Sequence, residues 1–349
     1  MALQEQAGSA AVRPGSVEAL MARGAAFLGS RHAILGGAMS WVSERNLVAA
    51  LSNAGAFGVI ACGAMMPERL AEEIAATQAL TDRPFGVNLI TMHPNLMELV
   101  QVCLDAKVGH VVFAGGIPPG PAIKAAKEGG AKVICFAPAL ALAKKLVRSG
   151  ADALVIEGSE AGGHIGPVSL TVLAQEILPH IRDVPVFVAG GIGRGEAILS
   201  YLEMGAAGVQ IGTRFVCATE SIAHPNFKRA FLRGAARDAM PTVQLDDAFP
   251  VIPVRALQND GTKRFLAHQA EVIRRYKGGE LTREAAQLDI EHFWAGALRR
   301  AVIDGDVENG SLMAGQSVGM VTREQPVAEI IGELLDQAEA AVAARAAGH

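Results

Sequence analysis

Eight short apolar runs recur through the first 215 residues of this 349-residue chain, and this rhythm restricts the possible folds more than any other feature. Each run is rich in Val, Ile and other apolar residues, and most are followed by Gly, Pro or a small polar residue. Apolar runs of roughly four to eight residues bounded by turn residues are typical of buried β-strands. The runs are HAILGGAM (32–39), AFGVIACG (56–63), PFGVNLIT (84–91), HVVFAGG (110–116), KVICFAP (132–138), DALVIEG (152–158), VPVFVAGG (184–191) and GVQIGTRF (208–215).

The segments between the runs carry helical patterns. SERNLVAALSNAG opens with a Ser43 to Asn46 start that resembles a capping box and ends at Gly55, and PERLAEEIAATQAL has Pro67 in its first turn. Continuous apolar strands that alternate with helices predict a parallel sheet with helices on both faces. Eight such units predict an α/β protein of the (β/α)8 TIM-barrel class.

A doubly wound sheet is the alternative fold. The segment AGGIGRG follows an apolar run and precedes the helical segment GEAILSYLEMG, as a dinucleotide-binding fingerprint does. That fingerprint requires an Asp or Glu about 20 residues further along the chain. The residue at that position is Gln210. The barrel is therefore the preferred interpretation.

The regular recurrence of apolar, strand-like runs ends at Phe215. Residues 216–349 contain no convincing strand but several helical segments, which are too many for the last barrel helix alone. We therefore predict an N-terminal extension (1–30), a barrel made of residues 31–218 and 326–349, and a helical lid or substrate subdomain (219–325) inserted after the eighth strand.

Composition argues against membrane and nucleic-acid partners. Hydrophobic residues make up 50% of the chain, but no uncharged apolar run reaches the roughly 18 residues that span a bilayer. The longest candidate, VICFAPALALAKKLV, contains Pro138, Lys144 and Lys145. The net charge is −4 and no basic tract is present, which disfavours nucleic-acid binding.

The cysteines and the N-terminus indicate a cytoplasmic protein. The four cysteines lack CxxC spacing and lie mostly within apolar runs, so we expect buried, reduced thiols. The start MALQEQAGSAAVRPGS lacks the basic and apolar regions of a secretory signal. We expect about the first 15 residues to be mobile.

Two glycine-rich strand ends predict a phosphate site. In TIM barrels the loops after the strands build the active site, and those after strands seven and eight commonly hold a phosphate. Here AGGIGRG supplies Gly190, Gly191 and Gly193 before a helix, and QIGTR supplies Gly212 and Thr213. Exposed backbone N–H groups in such loops bind anions. Tight turns that bind no ligand are the alternative.

Other strand ends provide side chains suited to binding and proton transfer. Asn88 on strand three can both donate to and accept from a flat heteroaromatic ring, and Glu157 and Gln210 stand at the ends of strands six and eight. His164 lies in EGSEAGGHIG, where the glycines permit a close approach to a ligand, so we expect it to be catalytic. Simpler roles stay open: a turn cap for Asn88, an ion pair for Glu157 and a structural loop position for His164.

These motifs resemble the FMN-dependent nitronate monooxygenase (2-nitropropane dioxygenase) superfamily, and in particular its enoyl-acyl-carrier-protein reductase II branch. The resemblance runs from about His32 to about Ile331. The blocks EAGGHIG and VQIGTRF are specific when taken together, whereas AGGI also occurs in many other phosphate-binding barrels. The further matching segments are GGAMSWV, LTDRPFGVN, AHPNFK and DGDVENGSLMAGQSVGMV.

The resemblance implies an enzyme with FMN across the barrel mouth and His164 as its catalytic histidine. It also implies, for the reductase branch, a monovalent cation near SLMAGQ and a homodimer, although no side-chain cluster in the sequence demands a metal. The implied phosphate contacts are Gly190, Gly191, Gly212 and Thr213. The other implied FMN contacts are Gly37, Met39, Asn88, Glu157, Gly162, Gly163, Gln210, Met313 and Gln316.

Two reactions are compatible with such a site. A reductase would use NADH or NADPH, pass hydride through FMN to the β-carbon of a 2-enoyl thioester, for example on acyl carrier protein, and protonate the α-carbon. A monooxygenase would oxidise an alkyl nitronate with O2. Glu157 and Ile165 favour the reductase, because monooxygenase-like members more often have Gln and Arg there. Gly36 departs from the pattern, since relatives usually have Gln beside the flavin.

Three other functions stay open to different degrees. Reduction of another acceptor such as a quinone would use the same flavin site. Barrels of the nucleotide-dehydrogenase type need a nucleophilic Cys on the loop after strand six, and this chain has none there. A flavin-binding protein without catalytic activity would not need His164.

Overall fold

A closed parallel barrel forms the body of the molecule, as the sequence predicts. This computed structural model describes residues 15–63, 65–249 and 251–348. Each of the eight apolar runs contains one barrel strand, and a short additional strand, β7, lies outside the barrel. The strands in chain order are β1 (Ile34–Gly36), β2 (Val59–Ala61), β3 (Gly86–Ile90), β4 (His110–Ala114), β5 (Lys132–Phe136), β6 (Ala153–Glu157), β7 (Gly163–His164), β8 (Val186–Ala189) and β9 (Gly208–Ile211).

The order of the strands shows how the barrel closes. Neighbouring strands are parallel in the order β1-β9-β8-β6-β5-β4-β3-β2. A parallel bridge between Leu35 and Phe57 joins the first strand to the start of the second. Because all eight strands point the same way, their carboxyl ends meet at one mouth. Strands and helices are buried against each other in one continuous apolar core.

Helices cover the outside of the barrel. The α-helices are α1 (Val17–Leu28), α2 (Arg45–Asn53), α3 (Pro67–Leu80), α4 (Leu96–Asp105), α5 (Gly120–Glu128), α6 (Leu140–Arg148), α7 (Leu170–Ile177), α8 (Gly195–Glu203), α9 (Thr213–Val216), α10 (Pro225–Arg233), α11 (Asp260–Lys277), α12 (Arg283–Val302) and α13 (Val327–Ala346). No helix among the described residues is both long and apolar enough to cross a membrane. All four cysteines are buried and unpaired.

The predicted N-terminal extension contains a helix that belongs structurally to the barrel. Helix α1 buries Val17, Met21 and Leu28 against the core and contacts α8 and the terminal helix α13. Ser16 caps it by accepting a hydrogen bond from the backbone nitrogen of Ala19. The mobility predicted for the first residues of the chain concerns positions that lie almost entirely outside the described ranges.

The insertion after the barrel is not purely helical, and the expectation that no strand follows residue 216 is wrong. Strands β10 (Ala239–Pro241), β11 (Val254–Leu257) and β12 (Leu312–Met313) form a small antiparallel sheet, in which β7 also pairs with β11. Strands this short show no periodicity in the sequence, and they are ordered only because distant segments provide their partners.

The insertion has its own apolar core and returns to the barrel close to where it leaves. Helices α11 and α12 pack Phe265 and Trp294 together, with ring centroids 4.0 Å apart. A parallel bridge between Ala218 and Gln325 joins the departing and returning chain. The lid, as we call residues 219–325 from here on, is therefore attached at one edge of the barrel.

One predicted helix cap is also wrong. Helix α2 begins at Arg45, and the Glu44 carboxylate, not Ser43, accepts hydrogen bonds from the backbone nitrogens of Asn46 and Leu47. The buried Ser43 hydroxyl instead donates to the Gly37 carbonyl at 2.6 Å and accepts from the Met39 nitrogen at 3.0 Å. Ser43 therefore fixes the loop after β1, which is a loop of the barrel mouth.

Candidate active site

The polar residues predicted from strand ends lie on three barrel strands: Asn88 on β3, Glu157 on β6 and Gln210 on β9. Leu35, Gln210, Ala189 and Glu157 are register neighbours across four adjacent strands, β1, β9, β8 and β6. Gln210 therefore lies two strands from Glu157. Asn88 is buried on β3, on another side of the mouth, where its Nδ2 donates to the Val112 carbonyl at 3.3 Å. Part of its hydrogen-bonding capacity is thus used to join β3 to β4.

Four backbone donors are free at the ends of β8 and β9. The N–H groups of Gly190, Gly191, Gly212 and Thr213 make no hydrogen bond with any residue that the structure describes. Gly190, Gly191 and Gly212 are partly exposed, so a ligand can reach these donors from solvent. Gly212 and Thr213 also start the short helix α9, where N–H groups point out of the helix. This donor set fits an anionic phosphate ester such as that of FMN.

Close backbone contacts explain why the neighbouring positions are glycines. A Cβ atom on Gly37 would lie 3.1 Å from the Cα of Gly212, and the Gly37 nitrogen donates to the Ile211 carbonyl at 2.8 Å. Gly190 has a φ of +101° and faces the Gly158 backbone. The loops after the first, sixth, seventh and eighth barrel strands therefore pack directly on each other.

The returning chain of the lid brings another group of predicted residues to the same place. The Gln316 nitrogen donates to the Glu160 carbonyl at 2.9 Å, and the Gly315 nitrogen donates to Thr213 Oγ1 at 3.0 Å. Gly162 lies against Gly315. The structure thus places five predicted cofactor contacts from three distant parts of the sequence side by side: Gly162, Gly163, Thr213, Met313 and Gln316.

Glu157 faces a cavity of about 200 Å³ between the loops that follow β4, β5 and β6. Burial raises the pKa of Glu157 to about 8, and no cation or hydrogen-bond donor of the described chain offsets that effect. Burial therefore favours the protonated form of this carboxyl group. The residues that line the cavity with it are apolar or glycine: Gly116, Ile117, Phe136, Ala137, Pro138, Leu142, Gly166, Pro167, Val168 and Leu173.

His164 is held between the barrel and the lid. It lies in β7, where its backbone pairs with Val254 of β11, and the nitrogen of Ile165 donates to the Pro253 carbonyl at 2.9 Å. Its Nε2 lies 3.1 Å from Oε2 of Glu291 on α12. The side chain is 42% exposed, which leaves the ring accessible to solvent.

Sequence reasoning missed three residues that shape this site. Glu291 comes from a helix with no recognisable motif, and Ser43 was assigned to a helix cap. Arg255 is buried in β11 and donates from Nε to the Ser159 carbonyl at 2.8 Å, which ties the loop after β6 to the lid. Of these three residues, only Arg255 could have been recognised from the sequence. An arginine within an apolar stretch such as VIPVRAL indicates a charge that is buried and hydrogen-bonded.

Comparison with known proteins places the chain among flavin-type oxidoreductase sequences. A family model described as nitronate monooxygenase matches residues 23–103 and 95–337. A Mycobacterium tuberculosis protein named (3aS,4S,5R,7aS)-5-hydroxy-7a-methyl-1-oxo-octahydro-1H-indene-4-carboxyl-CoA dehydrogenase is 30% identical over 335 residues, covering 88% of this chain and 93% of that protein. A nitronate monooxygenase from Paraburkholderia phytofirmans is 28% identical over 88% of this chain and 92% of its own. Among solved structures, FabK from Thermotoga maritima matches with a TM-score of 0.83 and 36% identity, covering 94% of this chain and 99% of its own.

Proposed function

Because this chain belongs to the nitronate monooxygenase family, we propose that it is an FMN-dependent oxidoreductase that reduces a 2-enoyl thioester with electrons from NADH or NADPH. One observation carries the proposal: four free backbone donors for a phosphate, at Gly190, Gly191, Gly212 and Thr213, share the barrel mouth with His164. A phosphate cradle and an accessible histidine at the carboxyl ends of barrel strands are the two requirements for binding FMN and for moving a proton beside it.

Different residues of the chain would bind different parts of FMN. The four donors would hold the phosphate, while Gly37 and Gly162, which carry no side chain, let the loop after β9 and the returning chain of the lid pack closely around the site. In its protonated form, which burial favours, Glu157 can donate a hydrogen bond to a carbonyl or ring nitrogen. When bound, FMN would supply two-electron transfer between the nicotinamide donor and the substrate.

His164 would supply the proton. After hydride reaches the β-carbon of an enoyl thioester, the α-carbon needs one proton, and the imidazolium form of His164 can give it and become neutral. Histidine suits this task because its ordinary pKa lies near neutral pH. The lid strand β11 holds the His164 backbone, so the ring is carried on a hydrogen-bonded strand.

The cavity beside Glu157 favours a neutral substrate. Among its described lining residues Glu157 is the one ionisable group, and none is Lys or Arg. An anionic nitronate would lose hydration there without gaining a cation as partner. The apolar walls suit the hydrocarbon part of an acyl thioester. The relative named as a carboxyl-CoA dehydrogenase and the similarity to FabK support a thioester substrate.

Nitronate oxidation is the second candidate, because the matching family model and the relative from Paraburkholderia phytofirmans carry that name. An exposed histidine at the barrel mouth can position an anion as well as donate a proton. The two candidates share the cofactor site, so only a substrate experiment separates them.

Anaerobic mixing tests the proposal. The purified protein, reconstituted with FMN if necessary, is mixed with NADH or NADPH, and the absorbance of the oxidised flavin is followed. We expect bleaching, and then recovery on addition of crotonyl-CoA or crotonyl acyl carrier protein. Bleaching by propyl 2-nitronate without NADH or NADPH would establish the second candidate instead. Failure to bind FMN at all would refute both.

A His164→Ala variant tests the role of the histidine. We expect it to bind FMN as the wild type does and to lose about 100-fold or more of its turnover, the typical contribution of a positioned general acid. Unchanged turnover with either substrate would assign His164 to a structural position.

A further inference from the structure

We propose that Glu291, on the lid, positions the catalytic histidine: its carboxylate holds the proton of His164 on Nε2 and leaves Nδ1 as the nitrogen that exchanges a proton with the substrate. The proposal rests on the proposed function for the reaction. The observation is an ion-pair contact, in which Nε2 of His164 lies 3.1 Å from Oε2 of Glu291, and it does not depend on that function. Glu291 is therefore a positioning residue that acts through His164.

The lid holds both the backbone and the side chain of His164. Its backbone pairs with Val254, which is fully buried, so the strand that carries the histidine is anchored in the lid core. The preceding residue, Gly163, has a φ of +79°, a conformation that directs the chain toward β11 and that most other residues avoid. With the backbone fixed, the remaining freedom of the ring is its rotation, and the Glu291 contact restricts that rotation.

The lid core also fixes the position of Glu291. Its neighbours on α12, Ile290 and Trp294, are 2% and 4% exposed and pack in the lid's apolar core. Further along the helix, the guanidinium of Arg299 lies 5.8 Å from the ring centroid of Trp41, on the loop after β1. Helix α12 thus reaches two separate loops of the barrel, one through Glu291 and one through Arg299.

The neighbouring carboxylate on the helix cannot replace Glu291. Asp289 lies 3.1 Å from Nε2 of His268 and 3.5 Å from Nη1 of Arg275, both on α11. It is therefore already paired within the lid. Among the described residues, Glu291 is the acidic side chain that contacts His164.

A carboxylate at this position selects one tautomer of histidine. A carboxylate oxygen accepts a proton and cannot donate one, so the neutral ring is stabilised with hydrogen on Nε2 and a lone pair on Nδ1. In the charged ring both nitrogens carry hydrogen. The Nδ1 proton then moves to the α-carbon, and the ring returns to the Nε2–H form. Glu291 keeps its charge throughout, as the acid of a catalytic triad does.

Nitrogen NMR of the histidines tests the tautomer without any turnover. The FMN-loaded protein is labelled with 15N-histidine, and the signal of His164, one of nine histidines, is identified by its loss in His164→Ala. At a pH where the ring is neutral we expect the Nε2–H form in the wild type and a mixture of tautomers in Glu291→Ala. Glu284→Gln, which removes an exposed carboxyl from the same helix, is expected to match the wild type. An unchanged His164 tautomer in Glu291→Ala would overturn the proposal.

A double-mutant cycle tests the catalytic consequence. We expect Glu291→Ala to lower kcat about 10-fold to 100-fold with little change in KM, the usual loss when a partner that orients a catalytic group is removed. Glu291→Gln, which can still accept the Nε2 proton, should recover part of that loss. In the His164→Ala background, Glu291→Ala should have no further effect.

Two outcomes separate this proposal from the proposed function. If no substrate is turned over by the wild type, the proposed function fails, while the NMR result still decides whether Glu291 sets the tautomer. If Glu291→Ala lowers kcat equally with and without His164, the two residues act independently and the positioning role is wrong. The melting temperature should be unchanged in every variant at position 291, because the pair is 42% and 31% exposed.

Discussion

A Cβ atom placed on Gly162 would lie 2.5 Å from the backbone nitrogen of Gly315, so the loop after β6 and the returning chain of the lid touch through their backbones. This contact brings the lid residues Met313 and Gln316 beside the barrel loops. It also fixes the position of the lid relative to the loop that carries His164. The integrity of the candidate FMN site therefore depends on one position having no side chain.

We predict that Gly162→Ala loses FMN. The added methyl group must displace Gly315 or Ala314, both of which belong to rigid backbone, and the Gly315 bond to Thr213 moves with them. Gly109→Ala is the matched control, because an added Cβ there meets nothing within 4 Å and the exposed position precedes β4, at the opposite end of that strand from the mouth. Flavin content per chain after purification, and FMN affinity measured by fluorescence quenching, check the prediction. Equal FMN affinity in the two variants would contradict it.

Ser43 shows why a residue's role cannot always be predicted from its neighbours in the sequence. The barrel could be predicted because each strand is a continuous apolar run whose burial on both faces leaves a local signature. Ser43 has the local signature of a helix cap, yet its hydroxyl bonds the Gly37 carbonyl and the Met39 nitrogen, while Glu44 takes the cap. The same short sequence is compatible with either role of Ser43, as a helix cap or as a partner of the loop after β1. Tertiary packing decides which role it takes.

Glu291 and the small lid sheet could not be predicted for a different reason. The pairing of β7 with β11 joins residues about ninety positions apart, and each strand is too short to show a pattern of its own. The glycine-rich loops, by contrast, could be recognised because the chemistry of phosphate binding uses the backbone and leaves glycines in the sequence. A single carboxylate on an exposed helix face leaves no such trace.

We predict that Ser43→Ala weakens FMN binding while Glu44→Ala does not. The first change removes both side-chain hydrogen bonds of this loop, which packs on Gly212, and leaves only the direct bond from the Met39 nitrogen to the Gly37 carbonyl. Each lost bond costs about 0.5–1.5 kcal/mol. The second removes a helix cap and lowers stability by about 1 kcal/mol without touching the mouth. Urea denaturation and FMN titration of both variants check this. A Glu44 variant that binds FMN as weakly as the Ser43 variant would count against the assignment.

The raised pKa of Glu157 predicts a pH-dependent stability. Burial raises this pKa to about 8 in the folded protein, from an ordinary value near 4.5. Between these values the folded chain keeps a proton that the unfolded chain has lost, so the contribution of this group to stability falls as pH rises. In FMN-free protein, the free energy of unfolding of Glu157→Gln minus that of the wild type should grow by about 1.4 kcal/mol per pH unit between about pH 5.5 and 7, and more slowly toward pH 8.

A second variant controls for the loss of a carboxyl group. Glu176 lies exposed on α7, the helix that follows the His164 loop, and Glu176→Gln removes one carboxyl without opening or filling the cavity. Urea denaturation curves for wild type and both variants at pH 5, 6, 7 and 8 give the comparison. If the two variants show the same pH dependence relative to wild type, Glu157 does not keep its proton in the folded state.

We predict that the cavity beside Glu157 limits the length of the acyl chain. Leu142 lines the cavity from α6 and is only partly buried, so Leu142→Trp can place a larger side chain in it without overpacking the barrel core. This variant should lose kcat/KM for octenoyl-CoA by about tenfold or more while retaining crotonyl-CoA reduction, because about 1.4 kcal/mol of lost apolar contact corresponds to that factor.

Ala141→Trp, at the exposed neighbouring position on the same helix, should leave the reduction of both substrates unaffected. If Leu142→Trp instead loses FMN, the cavity holds part of the cofactor; if both thioesters slow equally with FMN retained, the acyl chain lies elsewhere.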